Sequence, residues 1–267
     1  MTNSPFRDKS ILITAASGGI GTATSERLAK QGCSLVLTAR RVEKLDELAS
    51  RLTMLGAPAV SVIPADMADY ISVDSFAKQL SDRDIHLDGC VFMVPQPHRA
   101  AETMPPNEEW DKLFKTSFIG PLALLKAAIS RMTPNLPNGK RCKIAVVSGI
   151  SSAQILSHYA SANVIRCAWV GQAKTLAFAL GPKGIHINTL SLGGTLSPWY
   201  VDSIRERATK SGKSYEDFLI EDTANVPLRK YGTPEEVATV LEGLLSSFSD
   251  HMSGINIMHD GGFTRAY

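Results

Sequence analysis

The sequence TAASGGIG at Thr14–Gly21 lies between an apolar run of strand length, at 9–15, and a stretch at 19–31 whose apolar residues recur at helical spacing. A glycine-rich turn in this position lets the backbone approach a pyrophosphate, and the N-terminus of the following helix offers free N–H groups to the anion. The alternative is an ordinary glycine-rich connection with no ligand. Its place in the first strand–helix connection favours phosphate binding.

Outward from this turn, strand-length apolar runs alternate with helix-length amphipathic stretches. We predict strands at 9–15, 34–39, 60–64, 89–94, 143–147, 185–190 and 254–258, and helices at 19–31, 42–55, 73–80, 107–132, 160–180 and 234–245. This alternation predicts a Rossmann-type, doubly wound α/β fold, with a mostly parallel seven-stranded sheet and helices on both faces. A polar loop at 134–141 and an irregular, partly helical insertion at 193–222 break the rhythm. No linker divides the chain, so we expect one domain over 1–267.

Composition excludes several classes of protein. The net charge of +2 argues against nucleic-acid binding. Four well-separated cysteines predict unpaired thiols in a reducing compartment, and six scattered histidines make a metal site improbable. We find no apolar run near the roughly 18 to 20 residues of a membrane span, and no signal peptide. We therefore expect a cytoplasmic protein without a membrane partner.

The end of the second predicted strand bears on the choice of nucleotide. It reads Thr38-Ala39-Arg40-Arg41, whereas NAD binders usually place a carboxylate here for the ribose 2′-hydroxyl. The planar fork of arginine suits a 2′-phosphate, so Arg40 and Arg41 favour NADP(H) over NAD(H). The alternative is a solvated pair of charges opening the next helix.

With these residues in view, the chain resembles the short-chain dehydrogenase/reductase family, in particular its 3-oxoacyl-[acyl-carrier-protein] reductase-like members. The glycine-rich turn matches the family's TGxxxGxG, with Ala15 in place of a glycine. Further matches are Asp66, Trp110 with Asp111, the segment His186–Gly193 and the terminal Asp260-Gly261-Gly262. The resemblance implies that the cofactor contacts Thr14, Ser17, Gly19, Ile20, Gly21, Arg40, Arg41, Asp66, Arg166 and Gly193.

The resemblance fails at the catalytic residues, which in the family are asparagine, serine, tyrosine and lysine. The helix at Arg166–Ala177 matches the family's helix after the lysine without a gap. In that register the four positions are Ser117, Gly149, Ala162 and Arg166, and all four are changed. Arg166 could contact ribose hydroxyls or an anion, with a buried structural ion pair as the alternative, but arginine stays protonated in proteins and is therefore a poor proton shuttle.

Several other polar residues are candidates for the chemistry. Ser148 and Ser151 flank the empty serine position, and Tyr159 stands three residues before Ala162. His158 and His98 are weaker candidates for a proton carrier and for the edge of the pocket. For each, backbone capping or packing is the competing interpretation. In the segment that lines the cofactor after the fourth strand, Phe92-Met93-Val94-Pro95 replaces the family's Asn-Asn-Ala-Gly, and we expect its bulkier groups to reshape the cofactor's floor.

The insertion resembles the family's substrate-binding flap, which we place at about 194–222. Its aromatic residues favour a small-molecule substrate of apolar or acyl-like character. The helices at 107–132 and 160–180 match those that pair between subunits in the family, which implies a homodimer or homotetramer.

Three functions remain open at this point. The first is an NADP(H)-dependent oxidoreductase acting on a carbonyl or alcohol with nonstandard catalytic residues. The second is a non-redox dehydratase or cyclase on the same fold, and the third is a catalytically inactive nucleotide-binding protein with a regulatory role.

Overall fold

The computed structural model describes residues 4–95, 97 and 102–266. Its centre is a parallel sheet of seven strands in the order β3-β2-β1-β4-β5-β6-β7. The strands are β1 (Ser10–Thr14), β2 (Ser34–Thr38), β3 (Val60–Val62), β4 (Gly89–Met93), β5 (Cys142–Gly149), β6 (Ile185–Leu192) and β7 (Asn256–His259). The order reverses between β1 and β4, so a crevice opens there at the carboxyl ends of the strands.

Helices cover both faces of the sheet, as predicted. One face carries α1 (Gly19–Ala29), α2 (Val42–Met54) and α9 (Pro234–Leu245), and the other carries α3 (Tyr70–Asp82), α5 (Gly120–Ser130) and α6 (Ala160–Leu180). Alternate side chains of each strand supply the two cores. In β1, Leu12 packs towards α3, whereas Ile11 and Ile13 pack towards α1.

The boundary of α9 follows from its first residues. The Thr233 hydroxyl accepts a hydrogen bond from the Glu236 backbone N–H, and the Glu236 carboxylate accepts one from the Thr233 N–H. This reciprocal capping box, with Pro234 at the first helical position, fixes the start where the sequence predicted it.

The long helix predicted at 107–132 has a more complex form. It consists of α4 (Asn107–Phe114), a π-helical turn at Lys115–Ile119 and α5. The run Asn107–Ser130 is long and apolar enough to cross a membrane by length and composition, which corrects the expectation that no segment is. Here it packs beside α3 and against the sheet, as core helices of similar composition do.

The insertion between β6 and α9 is also more regular than predicted. The insertion, predicted as irregular and partly helical, forms two helices, α7 (Pro198–Lys210) and α8 (Tyr215–Asp222). Pro198 at the first helical position of α7 and Ser214, whose hydroxyl accepts from the Asp217 N–H, define their starts. These two helices form the flap.

Candidate active site

The glycine-rich turn leaves β1 through a backbone conformation that side chains rarely adopt. Ala15 has a φ of 47°, in the left-handed region that favours glycine. At Gly21, an added Cβ would lie 2.5 Å from the Ala15 carbonyl oxygen and 2.7 Å from Cα of Ala16. The helix therefore approaches the turn so closely that only glycine fits at position 21.

The N-terminus of α1 faces the crevice. Gly18 occupies the cap position, and no side chain among the described residues caps the helix there. The N–H groups of the first helical turn have no intrahelical acceptors, so they remain donors for an anion. An added Cβ on Gly19 would lie 2.6 Å from Cδ of Pro198, which places the start of the flap directly over this turn.

A cleft of about 1370 Å³ runs across the carboxyl ends of the strands. Most of the cofactor residues expected from the sequence line it: Ser17, Ile20, Arg40, Arg41, Asp66, Arg166 and Gly193. Thr14, Gly19 and Gly21 lie behind its wall. The Thr14 hydroxyl is fully buried and accepts a hydrogen bond from the Met93 N–H at 2.7 Å, so this side chain joins β1 to β4.

One end of the cleft is rich in groups that suit a nucleotide. Arg40 and Arg41 are exposed at its rim, directly after β2. Beside them, the Thr38 hydroxyl is buried without a hydrogen-bond partner among the described residues. Asp66 follows β3, and one of its carboxylate oxygens accepts from the Ala68 N–H at 2.9 Å. The glycine cradle, the uncapped helix and the orphaned hydroxyl together fit a dinucleotide.

The sequence suggested that the residues at the end of β4 and just after it all reshape the floor of the cofactor site, but only some of them do. Phe92 is fully buried and packs on Trp169, with ring centroids 5.4 Å apart. Met93, Val94 and Pro95 do line the cleft. Because side chains alternate along a strand, Phe92 belongs to the core on the α6 side and only its neighbours reshape the floor.

At the opposite end of the cleft, Gly149 and Arg166 share one space. A Cβ on Gly149 would lie 2.5 Å from Cζ, 2.6 Å from Nη1 and 2.9 Å from Nε of Arg166. The guanidinium therefore lies against the backbone at the end of β5, in the volume that a side chain at position 149 would fill. Arg166 is 6% exposed, and it still contributes to the cleft wall.

Tyr159, Ala162 and Arg166 fall at positions i, i+3 and i+7, on one stripe at the start of α6. Ala162 is fully buried behind the wall, whereas Tyr159 lines the cleft with 8% exposure. The Arg166 guanidinium lies 5.3 Å from the centroid of the Tyr159 ring. The small side chain at 162 leaves room for this contact between the two larger ones.

The two serines that flank Gly149 have different environments. Ser151 is fully buried behind the cleft wall, and its hydroxyl accepts a hydrogen bond from Nη1 of Arg166 at 3.0 Å. Ser148 lines the cleft, and its buried hydroxyl has no hydrogen-bond partner among the described residues. Ser151 thus positions Arg166, whereas Ser148 belongs to the cleft wall with its hydroxyl oxygen buried.

The flap closes over this end through a polar cluster. Arg207 donates to both carboxylate oxygens of Asp222 at 3.1 Å, and the Tyr231 hydroxyl donates to the same carboxylate at 2.9 Å. Burial, followed by Tyr200 and Asp222, raises the pKa of the Tyr231 phenol well above its usual value. Burial lowers the pKa of Arg207, but Asp222 outweighs it and the net shift is upward. Both groups therefore keep their protons at neutral pH.

Some sequence predictions for the pocket hold only in part. His158 lines the cleft but is exposed, with its ring 4.6 Å from that of Tyr159, and His98 lies outside the described residues. Of the flap aromatics, Trp199 and Tyr200 reach the cleft, whereas Tyr215 and Phe218 do not line it.

Sequence reasoning missed several residues of the cleft: Thr38, Ser197, Asp222 and Tyr231. Thr38 stands two residues before Arg40, and Ser197 and Asp222 lie within the predicted flap, but their residue types gave no signal of a site. Tyr231 joins the cleft through contacts with segments distant in the chain. The Tyr231 ring packs against the backbone of Gly194, where an added Cβ would lie 2.1 Å from the ring. That glycine offered the only hint.

Comparison with known proteins agrees with this geometry. A family model described as enoyl-(acyl carrier protein) reductase matches residues 14–264. Levodione reductase from Leifsonia aquatica is 28% identical, covering 100% of this chain and 99% of its own, and isoepoxydon dehydrogenase from Penicillium expansum is 27% identical, covering 94% and 93%. The crystal structure of L-sorbose reductase from Gluconobacter frateurii, complexed with NADPH and L-sorbose, superposes with a TM-score of 0.89 at 23% identity over the whole of both chains.

Proposed function

This chain belongs to the short-chain dehydrogenase/reductase family, and from that membership we propose that it is an NADP(H)-dependent oxidoreductase that acts on a carbonyl or alcohol with a nonstandard set of catalytic residues. The observation that carries the proposal is the single cleft that joins a phosphate-binding turn and two arginines at one end to Ser148, Tyr159 and Arg166 at the other. A cofactor spanning it would place its reactive ring beside these polar groups.

Nucleotide choice rests on the rim after β2. Arg40 and Arg41 stand where an NAD binder would offer a carboxylate, and both are exposed to the cleft. An arginine fork donates paired hydrogen bonds to phosphate oxygens, so these residues suit the 2′-phosphate of NADP(H). Ser17, Ile20 and the uncapped start of α1 would hold the pyrophosphate.

When bound, NADPH supplies the hydride that reduces a carbonyl carbon, with NADP⁺ as the oxidised product. The carbonyl oxygen also requires one proton. Tyr231 is a poor source, because its pKa is raised and its hydroxyl is committed to Asp222. We assign proton donation to Tyr159, which lines the cleft on the same helical stripe as Arg166.

Arg166 would then act at the reacting end without itself transferring a proton. Its Nη1 donates to Ser151, which orients the guanidinium at the wall of the cleft, where it would contact the ribose of the cofactor or the substrate. Its fixed charge would also stabilise negative charge that develops on the substrate oxygen. Such electrostatic stabilisation, together with orientation, can supply a large part of the rate enhancement.

Location and assembly belong to the same proposal. We place the protein in the cytoplasm, where its four unpaired thiols would stay reduced. Burial raises the pKa of Cys142 to about 11, which keeps that thiol protonated and unreactive. Exposed apolar residues on α6 (Val164 and Phe178) and at the end of the π-helical turn before α5 (Ile119) suit pairing between subunits in a homodimer or homotetramer.

A turnover assay tests the proposal. Purified protein with NADPH and a panel of ketones and aldehydes should show loss of reduced nicotinamide absorbance, and Arg166→Ala should abolish that loss. Product without a change in absorbance would instead indicate a non-redox reaction. NADPH binding in the micromolar range with no turnover across the panel would indicate a nucleotide-binding protein without chemistry.

A further inference from the structure

The flap leaves the body of the protein through a narrow neck, formed by residues 194–196 and 231–232. The Leu196 N–H donates to the Gly232 carbonyl at 2.8 Å, and the Gly232 N–H donates to the Gly194 carbonyl at 3.0 Å. Beyond the neck, α7 and α8 pack mainly against each other. The buried apolar residues of α7, Ile204 and Ala208, belong to neither of the two cores beside the sheet. A unit with so few core contacts can open without unfolding the rest of the domain.

The start of α7 lies over the glycine-rich turn. An added Cβ on Gly19 would lie 2.6 Å from Cδ of Pro198 and 3.3 Å from Cβ of Ser197. Ser197 lines the cleft together with Ser17 and Gly18 of the turn below it. A nucleotide bound on this turn would therefore be covered by the start of the flap, and we expect its release to require that α7 moves away.

One carboxylate connects both flap helices to the neck. Asp222, the last residue of α8, accepts from Nη1 and Nη2 of Arg207 in the last turn of α7, each at 3.1 Å. The same carboxylate accepts from the Tyr231 hydroxyl at 2.9 Å. Tyr231 belongs to the neck, where its ring packs on the backbone of Gly194. Loss of the Asp222 carboxylate would therefore loosen α7 from α8 and both helices from the neck.

The ion pair at this junction is stronger than an ordinary surface pair. The side chains of Arg207 and Asp222 are 33% and 21% exposed. Cζ of Arg207 lies 5.2 Å from the centroid of the Phe218 ring and 5.8 Å from that of Tyr200, so aromatic rings of both flap helices border the guanidinium. Two parallel hydrogen bonds and partial burial make such a pair contribute more than a fully solvated one.

We propose that Asp222 is the latch of the flap, and that opening of this latch governs release of the nicotinamide nucleotide. The inference rests on the proposed function for the identity of the ligand, but the latch itself is present in the free protein. Asp222 acts as a positioning residue, through Arg207 and α7.

Hydrogen exchange of the full chain without nucleotide tests the latch, followed by mass spectrometry on peptides from α7. A helix of 13 residues is marginal in water by itself, so release from its partners exposes its amides to exchange. Asp222→Asn keeps the size of the side chain but removes its charge and one acceptor, and exchange in α7 should become about tenfold faster.

The matched control is Glu221→Gln. Glu221 is the neighbour of Asp222 on α8, but it is mostly exposed and pairs with Lys213, and neither residue lines the cleft. Exchange in α7 should change by less than about twofold in this variant. Tyr231→Phe guards against misfolding, because it removes one hydroxyl and leaves the ring on the neck. It should speed exchange in α7 by about three- to fivefold.

Stopped-flow release of NADPH, displaced by excess NADP⁺ and followed by nucleotide fluorescence, tests the control over the ligand. Release should be about tenfold faster from Asp222→Asn and unchanged from Glu221→Gln. Asp222→Glu keeps the charge, so it should return exchange and release to within about threefold of the unmodified protein.

Unchanged exchange in α7 of both Asp222→Asn and Tyr231→Phe would overturn the latch. Faster exchange with an unchanged rate of NADPH release would overturn its control over the nucleotide. If the unmodified protein takes up no NADPH, the proposed function fails, whereas the exchange experiment still decides whether Asp222 holds the flap.

Discussion

The two ends of the cleft differ in how they relate to the family pattern. At the nucleotide end, the glycine-rich turn and Asp66 keep the expected residue types apart from Ala15, and at Gly21 an added Cβ would lie 2.5 Å from the Ala15 carbonyl oxygen, which explains the glycine there. At the reacting end, Ser117, Gly149, Ala162 and Arg166 stand in place of the family's four catalytic residues. There the shape of the site depends on a side chain: the Arg166 guanidinium from α6 fills the volume that glycine leaves open at the end of β5. Backbone geometry constrains sequence more tightly than side-chain packing, which can be rearranged in pairs.

Gly21→Ala should have the largest effect, because the atoms that its Cβ would meet belong to the backbone and cannot move aside. We expect the free energy of unfolding to fall by roughly 2–3 kcal/mol and NADPH affinity to fall by at least about 100-fold. Chemical denaturation and calorimetry measure the two effects.

The matched control for this helical glycine is Gly243→Ala in α9. Its Cβ would lie 3.6 Å from the Phe248 ring, an ordinary contact, so this variant should gain about 0.5–1 kcal/mol of stability from helix propensity. Equal behaviour of the two variants would contradict the close approach at the turn.

Arg40→Ala tests the nucleotide end from the ligand's side. Losing a charge-assisted contact to the 2′-phosphate should weaken NADPH by about 10- to 100-fold and leave NADH nearly unchanged. The control is Arg51→Ala. Arg51 lies on the exposed face of α2, the helix that follows Arg40, and pairs with Glu26, so its loss should affect the binding of neither nucleotide. Equal weakening of NADPH and NADH by Arg40→Ala would remove the assignment of the 2′-phosphate.

Gly149→Ser tests the reacting end. The new side chain would push the Arg166 guanidinium away from Ser151, and because the aliphatic part of the arginine has several rotatable bonds, the cost should be about 1–2 kcal/mol of unfolding free energy. The double variant Gly149→Ser/Arg166→Lys should be less destabilised than the sum of its single variants, with a coupling of about 1 kcal/mol. Additive effects in this double-mutant cycle would mean that the two positions are not energetically coupled.

Ala15→Gly should have the smallest effect, and it is favourable. The left-handed conformation of Ala15 costs about 1–2 kcal/mol for a residue with a Cβ, and glycine would relieve this cost. Part of the gain is offset because glycine also gives the unfolded chain more conformational freedom. We expect a net gain of about 0.5–1 kcal/mol, measured by thermal or chemical denaturation. Ala49→Gly, inside α2, should instead lose about 1 kcal/mol, and a loss at both sites would refute the strain at the turn.

Local patterns were enough to predict the sheet, the alternating helices and the starts of α6 and α9. They failed where distant segments meet. The sequence predicted the flap as irregular and only partly helical. The reason is that its apolar residues line the cleft or pack between its own two helices, and do not form one continuous face against the core. Phe92 was placed in the cofactor's floor because the motif gave its position, whereas the side-chain alternation of β4 sends it to Trp169. Gly149 and Arg166 were each noticed, but their shared volume follows only from the packing of α6 against β5.

The central claim is that the nucleotide end still binds NADP(H) although the reacting end has changed. The most direct measurement is a calorimetric titration of the unmodified protein with NADPH and, in parallel, with NADH. We predict binding of NADPH in the micromolar range or tighter, at least about tenfold stronger than binding of NADH, a difference of about 1.4 kcal/mol. Uptake of neither nucleotide would contradict the account, because the turn at Thr14–Gly21 would then be a structural connection without a ligand.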